Sequence, residues 1–352
     1  MIENKYFAVP FVLVCLLTIL SSCREQRTEE RGFESTESSD SLQVDSSILE
    51  AEPVPQEFFI VQEDVYVKDY FNWINKVVDS LNIDRSYEID EYILVHYNHW
   101  IIDTLRGTDY YLLKDRGIIS KDPTAHLLVK NGSMLRVPDS SAVKEIKTNL
   151  EQTYLDLNIP EYRLRIIQED SVLYSFLARV GRNDSRYLAM AGRNVDLKTM
   201  PGTGSIIRVN RKPTFINPRD NKRYQSTRRD DQVVTALPNI PWLEPEINGI
   251  RYGHLIHPTT NIETLGKASS NGCVGLREAD AWTLYFYAPL GTEVVFRYDL
   301  EVCDESGEWV KLPNIYPGME HKKVVRNPKP TKVPPSDYSD SELPVCYCGK
   351  EE

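Results

Sequence analysis

Residues 254–277 read HLIHPTTNIETLGKASSNGCVGLR and set a thiol sixteen positions after an imidazole. His257 ends an apolar, strand-like approach, Leu255-Ile256-His257, and Cys273 follows the polar turn Ser270-Asn271-Gly272. A thiol with a pKa of about 8.5 is mostly protonated at neutral pH, so a nucleophilic Cys needs a base beside it. An imidazole meets that need. Free Cys is among the most buried residue types, but a Cys preceded by Gly, between a polar turn and a helix start, is expected in an exposed setting. His254 is a second candidate base. Three residues apart on a strand, His254 and His257 point to opposite faces. That opposition also makes a zinc site from His254, His257 and Cys273 awkward, and no acidic partner stands at ligand spacing.

Downstream of the Cys, residues 278–287 read as a short helix by composition, followed by the turn Pro289-Leu290-Gly291-Thr292 and a last strand at 294–298. Upstream, apolar residues alternate at 162–167 and again at 172–180, with Gln168-Glu169-Asp170-Ser171 as the turn, which predicts paired strands. A further strand is expected at 205–209. The basic stretch that follows, with Arg228 and Arg229, reads as a solvated loop. From 57 to 157 the period is mostly helical: Tyr70, Phe71, Ile74, Val77, Val78 and Leu81 recur at three-to-four spacing. Ala142, Val143, Ile146, Leu150 and Tyr154 do the same behind Asp139 as an N-cap. Residues 301–352 are rich in Pro and Ser and read as an irregular tail.

A chain of 352 residues with 41% hydrophobic composition can build real cores in roughly two domains. The net charge of −11 argues against nucleic acid as a partner, because phosphate backbones reward Lys and Arg. Residues 24–55 hold nine carboxylates against three Arg and read as a flexible acidic tether, 23–56. Before it, Lys5 precedes fourteen largely apolar residues, 7–20, too short for an ordinary membrane span and suited to a signal-peptide core. Leu20-Ser21-Ser22-Cys23 resembles the lipobox of bacterial lipoproteins, which implies a signal peptide over 1–22, lipidation at Cys23, export, and a membrane contact made by acyl chains. In an oxidising compartment Cys303 could pair with Cys346 or Cys348, and the sequence does not choose between them.

Several of these pieces occur together in a known arrangement. Ile256-His257-Pro258-Thr259, Leu265-Gly266, Ser270-Asn271-Gly272-Cys273, the helix after the Cys and Gly291-Thr292-Glu293-Val294 agree in order and spacing with the YkuD-type L,D-transpeptidase catalytic domain of bacterial cell-wall enzymes. The half of the chain that holds them resembles that family, in its long exported branch. Asn158-Ile159-Pro160-Glu161-Tyr162 resembles the family's opening strand, and Pro201 with Thr203-Gly204-Ser205-Ile206 resembles its T-P-T-G-x-F element with one extra residue.

The resemblance implies an α+β chain: a mainly β catalytic domain over 158–300, a mixed-sheet YkuD-like β-sandwich, preceded by a small helical accessory domain over 57–157. It implies Cys273 as nucleophile and His257 as general base. Backbone N–H groups at Gly272 and Cys273 would hold the oxyanion, with Ser270, Asn271, Thr259 and Arg277 on the substrate side. The implied partners are peptidoglycan stem peptides, reached from the periplasmic side of a membrane. No metal or organic cofactor is implied, because thiol and imidazole suffice. Two positions depart from the family pattern: Asn271 stands where it has His, and Gly275 stands where it has a substrate-gripping Arg or Asn, leaving Arg277 as the nearest following cation. Crosslinking is the leading expectation. An L,D-carboxypeptidase, a wall-to-protein amide hydrolase and a catalytically degenerate wall-binding lipoprotein are the alternatives.

Overall fold

The structure, a computed structural model, describes residues 55–188, 191–216, 222–303, 307–322 and 324. The expected export signal, Cys23 and the tether up to Val54 lie outside the described residues, as do Cys346 and Cys348. Cys303 is exposed, with a free thiol. No helix among the described residues is long and apolar enough to cross a membrane.

Eight strands form one mixed sheet: β1 Thr153–Asn158, β2 Arg163–Gln168, β3 Ser171–Leu177, β4 Gly202–Asn210, β5 Trp242–Ile247, β6 Ile256–Pro258, β7 Val274–Leu276 and β8 Glu293–Arg297. Their spatial order is β7-β6-β5-β4-β8-β1-β2-β3. Neighbours run antiparallel except β6 with β7 and β8 with β1. The alternating segments form β2 and β3, joined by a turn in which Glu169 takes a left-handed conformation (φ 53°).

The sheet begins earlier than the periodicity suggests. The helix behind Asp139, whose carboxylate accepts the Ala142 N–H, ends at Glu151, and Tyr154 lies in β1 instead. β1 is paired on both sides and buried on both faces, so its sequence TYLDLN lacks the clean alternation that marks a half-exposed strand.

Among the described residues five α-helices precede the sheet: α1 Tyr70–Leu81, α2 Glu91–Tyr97, α3 Trp100–Arg106, α4 Tyr110–Asp115 and α5 Ser140–Glu151. A sixth, α6 Glu278–Tyr287, follows β7 where the composition places it. Every residue of α6 except Asp280 is buried, the mark of a helix inside a core rather than on its surface. Trp282 packs on Tyr70 and Phe71 of α1, with ring centroids 6.4 and 6.2 Å away, and Tyr285 packs edge-on to Phe71 at 5.8 Å. Side chains of the helical region and of the sheet belong to one hydrophobic core.

Polar contacts cross the same boundary. Glu91 of α2 is buried, accepts hydrogen bonds from Tyr70 and Tyr285 at 2.9 Å each, and pairs with Arg211. Burial pushes its carboxyl above the usual range, while Arg211 and the two hydroxyls pull the other way. Asp109 caps two helices at once. Its Oδ1 accepts from Tyr111 and Leu112 of α4, and its Oδ2 accepts from the Ala279 N–H of α6 at 3.0 Å. The basic loop also departs from expectation: Arg229 is buried, pairs with Glu278 at 2.7 Å and lies over the Tyr110 ring at 4.2 Å. Its neighbour Arg228 is exposed.

The first residues of the expected tail are also ordered by pairing. Residues Glu301–Cys303 and Trp309–Lys311 form a hairpin, and Tyr316 is fully buried, stacked on Tyr298 at 5.6 Å.

Candidate active site

The parallel pair β6 and β7 sets Ile256 beside Val274 and His257 beside Gly275, and the Val274 N–H donates to Leu255 O at 2.9 Å. One step back along both strands, Cys273 stands level with Leu255. Side chains alternate along a strand, so Cys273 and His257 face the same side, one pleat apart and about 8 Å between Cα atoms for ordinary strand spacing and rise. On the other edge of β6, the antiparallel register puts Trp242 across from His257, with ring centroids 5.8 Å apart.

Cys273 is covered. It forms an apolar cluster with Trp242 and Leu255, and Phe215 packs against that cluster, its ring edge-on to Trp242 at 4.9 Å. The side chain is 1% exposed, where the flanking Gly and polar turn pointed to an exposed thiol. Long-range packing from the segment after β4 sets this burial, and no local pattern around the Cys encodes it.

His257 is also buried, and its Nδ1 lies 2.8 Å from the backbone oxygen of Pro258. A carbonyl oxygen can only accept, so Nδ1 carries a proton, which in the neutral ring leaves the lone pair on Nε2. This is the tautomer a general base needs. His254 is buried, stacked on Tyr252 with ring centroids 5.5 Å apart. Burial pulls its imidazole below the ordinary pKa, with Cys273 and Asp196 opposing. Its ring also packs on Gly272, where a Cβ would come within 2.4 Å of His254 Nε2. Gly272 has φ 106° as well, so two separate constraints demand glycine there.

The Cys turn is tied down by side chains on either side. Ser270 Oγ donates to Cys273 O at 2.6 Å and accepts the Gly272 N–H at 3.2 Å. Thr199, fully buried, donates its hydroxyl to Gly272 O at 2.9 Å and accepts the Gly181 N–H at 2.8 Å. Tyr316 closes this frame, accepting from the Thr199 N–H and donating to Gly181 O. Because a trans peptide is planar, with its C=O and N–H pointing opposite ways, fixing Gly272 O also fixes the direction of the Cys273 N–H. The Gly272 N–H is already engaged by Ser270.

The remaining expected residues scatter around this centre. Thr259 is buried; its N–H donates to Leu276 O at 2.7 Å and its hydroxyl exchanges bonds with Asn261. Asn271 is half-buried in the turn, and Arg277 is half-buried at the N-cap of α6. Sequence reasoning missed Thr199, Arg179, Trp242 and Phe215. Thr199 had a weak signal: it stands two residues before Pro201, and Met200 occupies the position where the T-P-T-G-like element would have its first Thr.

The family model for the YkuD L,D-transpeptidase catalytic domain matches residues 152–296. Those residues are a YkuD-family L,D-transpeptidase catalytic domain. The match opens where β1 does and takes in both His257 and Cys273. That family acts on the stem peptides of peptidoglycan, outside the cytoplasm. Among solved structures, an L,D-transpeptidase from Mycobacterium smegmatis is similar at 14% identity and a TM-score of 0.29, over 42% of this chain and 58% of that one. An L,D-transpeptidase from Xylanimonas cellulosilytica is similar at 14% identity and a TM-score of 0.30, over 70% of this chain and all of that one. L,D-transpeptidase 3 from Mycobacterium tuberculosis, solved with a faropenem-derived adduct, is similar at 14% identity and a TM-score of 0.29, over 42% and 60%. The chain thus spans less than two thirds of the length of the first and third. No curated protein matches it in sequence.

Proposed function

We propose that the chain is a peptidoglycan L,D-transpeptidase working through a Cys273 thioester, exported and held to a membrane by lipid on Cys23. The carrying observation is the 2.8 Å contact from His257 Nδ1 to Pro258 O, which presents a basic Nε2 on the face that Cys273 shares. Nε2 takes the thiol proton, and the sulfur attacks the carbonyl of an amide joining an L-centre to a D-centre. The Cys273 N–H faces the oxyanion that forms. Collapse breaks the C–N bond, His257 returns the proton to the leaving amine, and the acyl group stays on sulfur. An acceptor amine from a second stem then attacks the thioester, loses its proton to His257, and leaves a crosslink and a restored thiol.

The cover over Cys273 must part for substrate to arrive, and until it does the same cover keeps water from the thioester. Incubating the full-length chain with tetrapeptide-bearing muropeptides tests the reading by intact mass. The expected result is a covalent acyl adduct on wild type that Cys273→Ala abolishes and His257→Ala slows by about 10²-fold or more. A folded wild-type protein that gains no mass and forms no product refutes it. Products with and without added acceptor amine tell whether an amine or water resolves the thioester. Cys23→Ala is expected to move the protein from the membrane to the soluble fraction.

A further inference from the structure

A cation without an anion lies beside the proposed catalytic pair. Arg179 follows β3, and its backbone pairs with Gly275 in both directions: its N–H donates to Gly275 O at 2.8 Å and the Gly275 N–H donates back at 2.9 Å. Residues directly opposite in such a pair carry their side chains on one face. Gly275 is in turn level with His257, and His257 with Trp242. Arg179, Gly275, His257 and Trp242 therefore form one row across four chain segments, on the face where Cys273 lies.

Gly275 has no side chain, and Arg179 occupies that space. A Cβ at 275 would meet Arg179 Nε at 3.0 Å, Arg179 Cβ at 3.4 Å and Arg179 Nη2 at 3.5 Å, and these are the three nearest atoms. The guanidinium is poorly satisfied where it sits. Its Nε is buried with no hydrogen-bond partner, and its Nη1 reaches Thr264 Oγ1 only at 3.5 Å. Among the described residues no carboxylate pairs with it. A partly buried guanidinium held over that face without an anion is costly unless an arriving one completes it. Its planar fork suits a carboxylate.

We propose that Arg179 is the substrate-gripping cation of this enzyme and binds a carboxylate carried by the donor peptide next to the scissile amide. The inference rests on the transpeptidase reading above. Two carboxylates could fill the role, the terminal one on the departing D-residue or the side-chain one on the L-centre, and separate amidation of each distinguishes them.

The test measures the acylation rate of full-length protein against donor concentration for wild type, Arg179→Gln and Arg179→Lys, with each folded state checked by circular dichroism. Arg179→Gln is expected to raise the apparent KM by about tenfold or more with a smaller change in kcat, and Arg179→Lys to fall between. Amidating the bound carboxylate should weaken wild type to the same degree and leave Arg179→Gln nearly unaffected. The transposed double variant, Arg179→Gly with Gly275→Arg, is expected to regain donor affinity, because removing Arg179 vacates the space a side chain at 275 needs. Wild type that acylates while Arg179→Gln keeps its KM, or equal sensitivity of both proteins to amidation at either position, overturns the role of Arg179 alone. Failure of wild type to acylate overturns the reading beneath it.

Discussion

Replacing Thr199 by Val tests whether the frame behind the Cys turn aims the nucleophile's amide. The substitution keeps volume and branching but removes a hydroxyl that holds Gly272 O at 2.9 Å and the Gly181 N–H at 2.8 Å. The site is fully buried, so neither backbone group gains water in exchange. Each unsatisfied buried group costs about 1–3 kcal/mol, giving a stability loss of about 2–6 kcal/mol for the pair. At about 2–4 °C per kcal/mol for a domain of this size class, melting should fall by roughly 5–20 °C. The kinetic effect comes from the planar peptide. Once Gly272 O is released, the Cys273 N–H samples other directions. Outright loss of one oxyanion donor costs about 10²–10³ in rate, so a donor that is merely loosened should cost about 10–100-fold. The expected outcome is a Thr199→Val protein that is folded at 20 °C by circular dichroism, binds donor with an unchanged KM, and acylates 10- to 100-fold more slowly by intact mass. Thr199→Ser, which keeps the hydroxyl, should stay within about threefold of wild type. A folded Thr199→Val variant acylating at the wild-type rate would refute the coupling. Should Thr199→Val not fold, Tyr316→Phe probes the same frame more gently through its bonds to the Thr199 N–H and Gly181 O.

Two further outcomes can be read without substrate. Burial pushes the Asp280 carboxyl up from 3.8 to about 6, so its contribution to stability is complete below the unfolded value and is lost as pH rises through the folded one. Asp280→Asn should therefore stabilise the protein at pH 7.5 by up to about 3 kcal/mol, less whatever solvent contact screens, and by little at pH 4; equal melting shifts at both pH values would contradict this. Phe215→Ala thins the cover on Cys273 and should speed alkylation of that thiol by iodoacetamide several-fold in an otherwise intact protein, scored by the mass of the peptide that carries Cys273. An unchanged alkylation rate would mean that Phe215 does not limit access.

The fold was legible where local pattern and tertiary pairing agree. α1, β2 and β3 have a period that a single face explains, while α6 was read from composition; α1, α6 and β2 form within a residue of their expected bounds, and β3 ends three residues before its own. β1 was hidden because a strand buried on both faces has no alternation to show, and its Tyr154 continued the spacing of the preceding helix. At the candidate site, the residue types of His257 and Cys273 and the separation between them are local facts of the sequence. The burial of Cys273, the frame built by Thr199 and Tyr316, and the guanidinium of Arg179 over Gly275 arise from pairing across long sequence separations. The absent side chain at 275 was visible, but what filled the space was not. Arg229 shows the converse: a charge in a basic stretch reads as solvated until a buried Glu278 and two aromatic rings are brought to it.

The helical half bears on the candidate site through α6. That helix starts five residues after Cys273, at Glu278, and its first turn is capped by Asp109 and anchored by Glu278 on Arg229 and on the Tyr110 N–H. Its far end is held by Glu91 through Tyr285 and by the rings of Tyr70 and Phe71. A chain cut to residues 152–324 would leave Trp282, Tyr285 and Phe286 facing water on the side where α1 and α2 now lie. Aromatic side chains bury about 150–250 Å² each, so even half that loss for three of them exposes a patch of roughly 200–400 Å², together with a helix N-terminus without its cap. The family match over 152–296 makes such a cut look harmless, since it spares the whole transpeptidase domain. The packing argues otherwise: the truncated chain is expected to aggregate or to bind a hydrophobic dye strongly, with loss of near-ultraviolet circular dichroism. A soluble, cooperatively melting fragment that acylates Cys273 at the full-length rate would show that α6 holds the nucleophile without the helices packed on it.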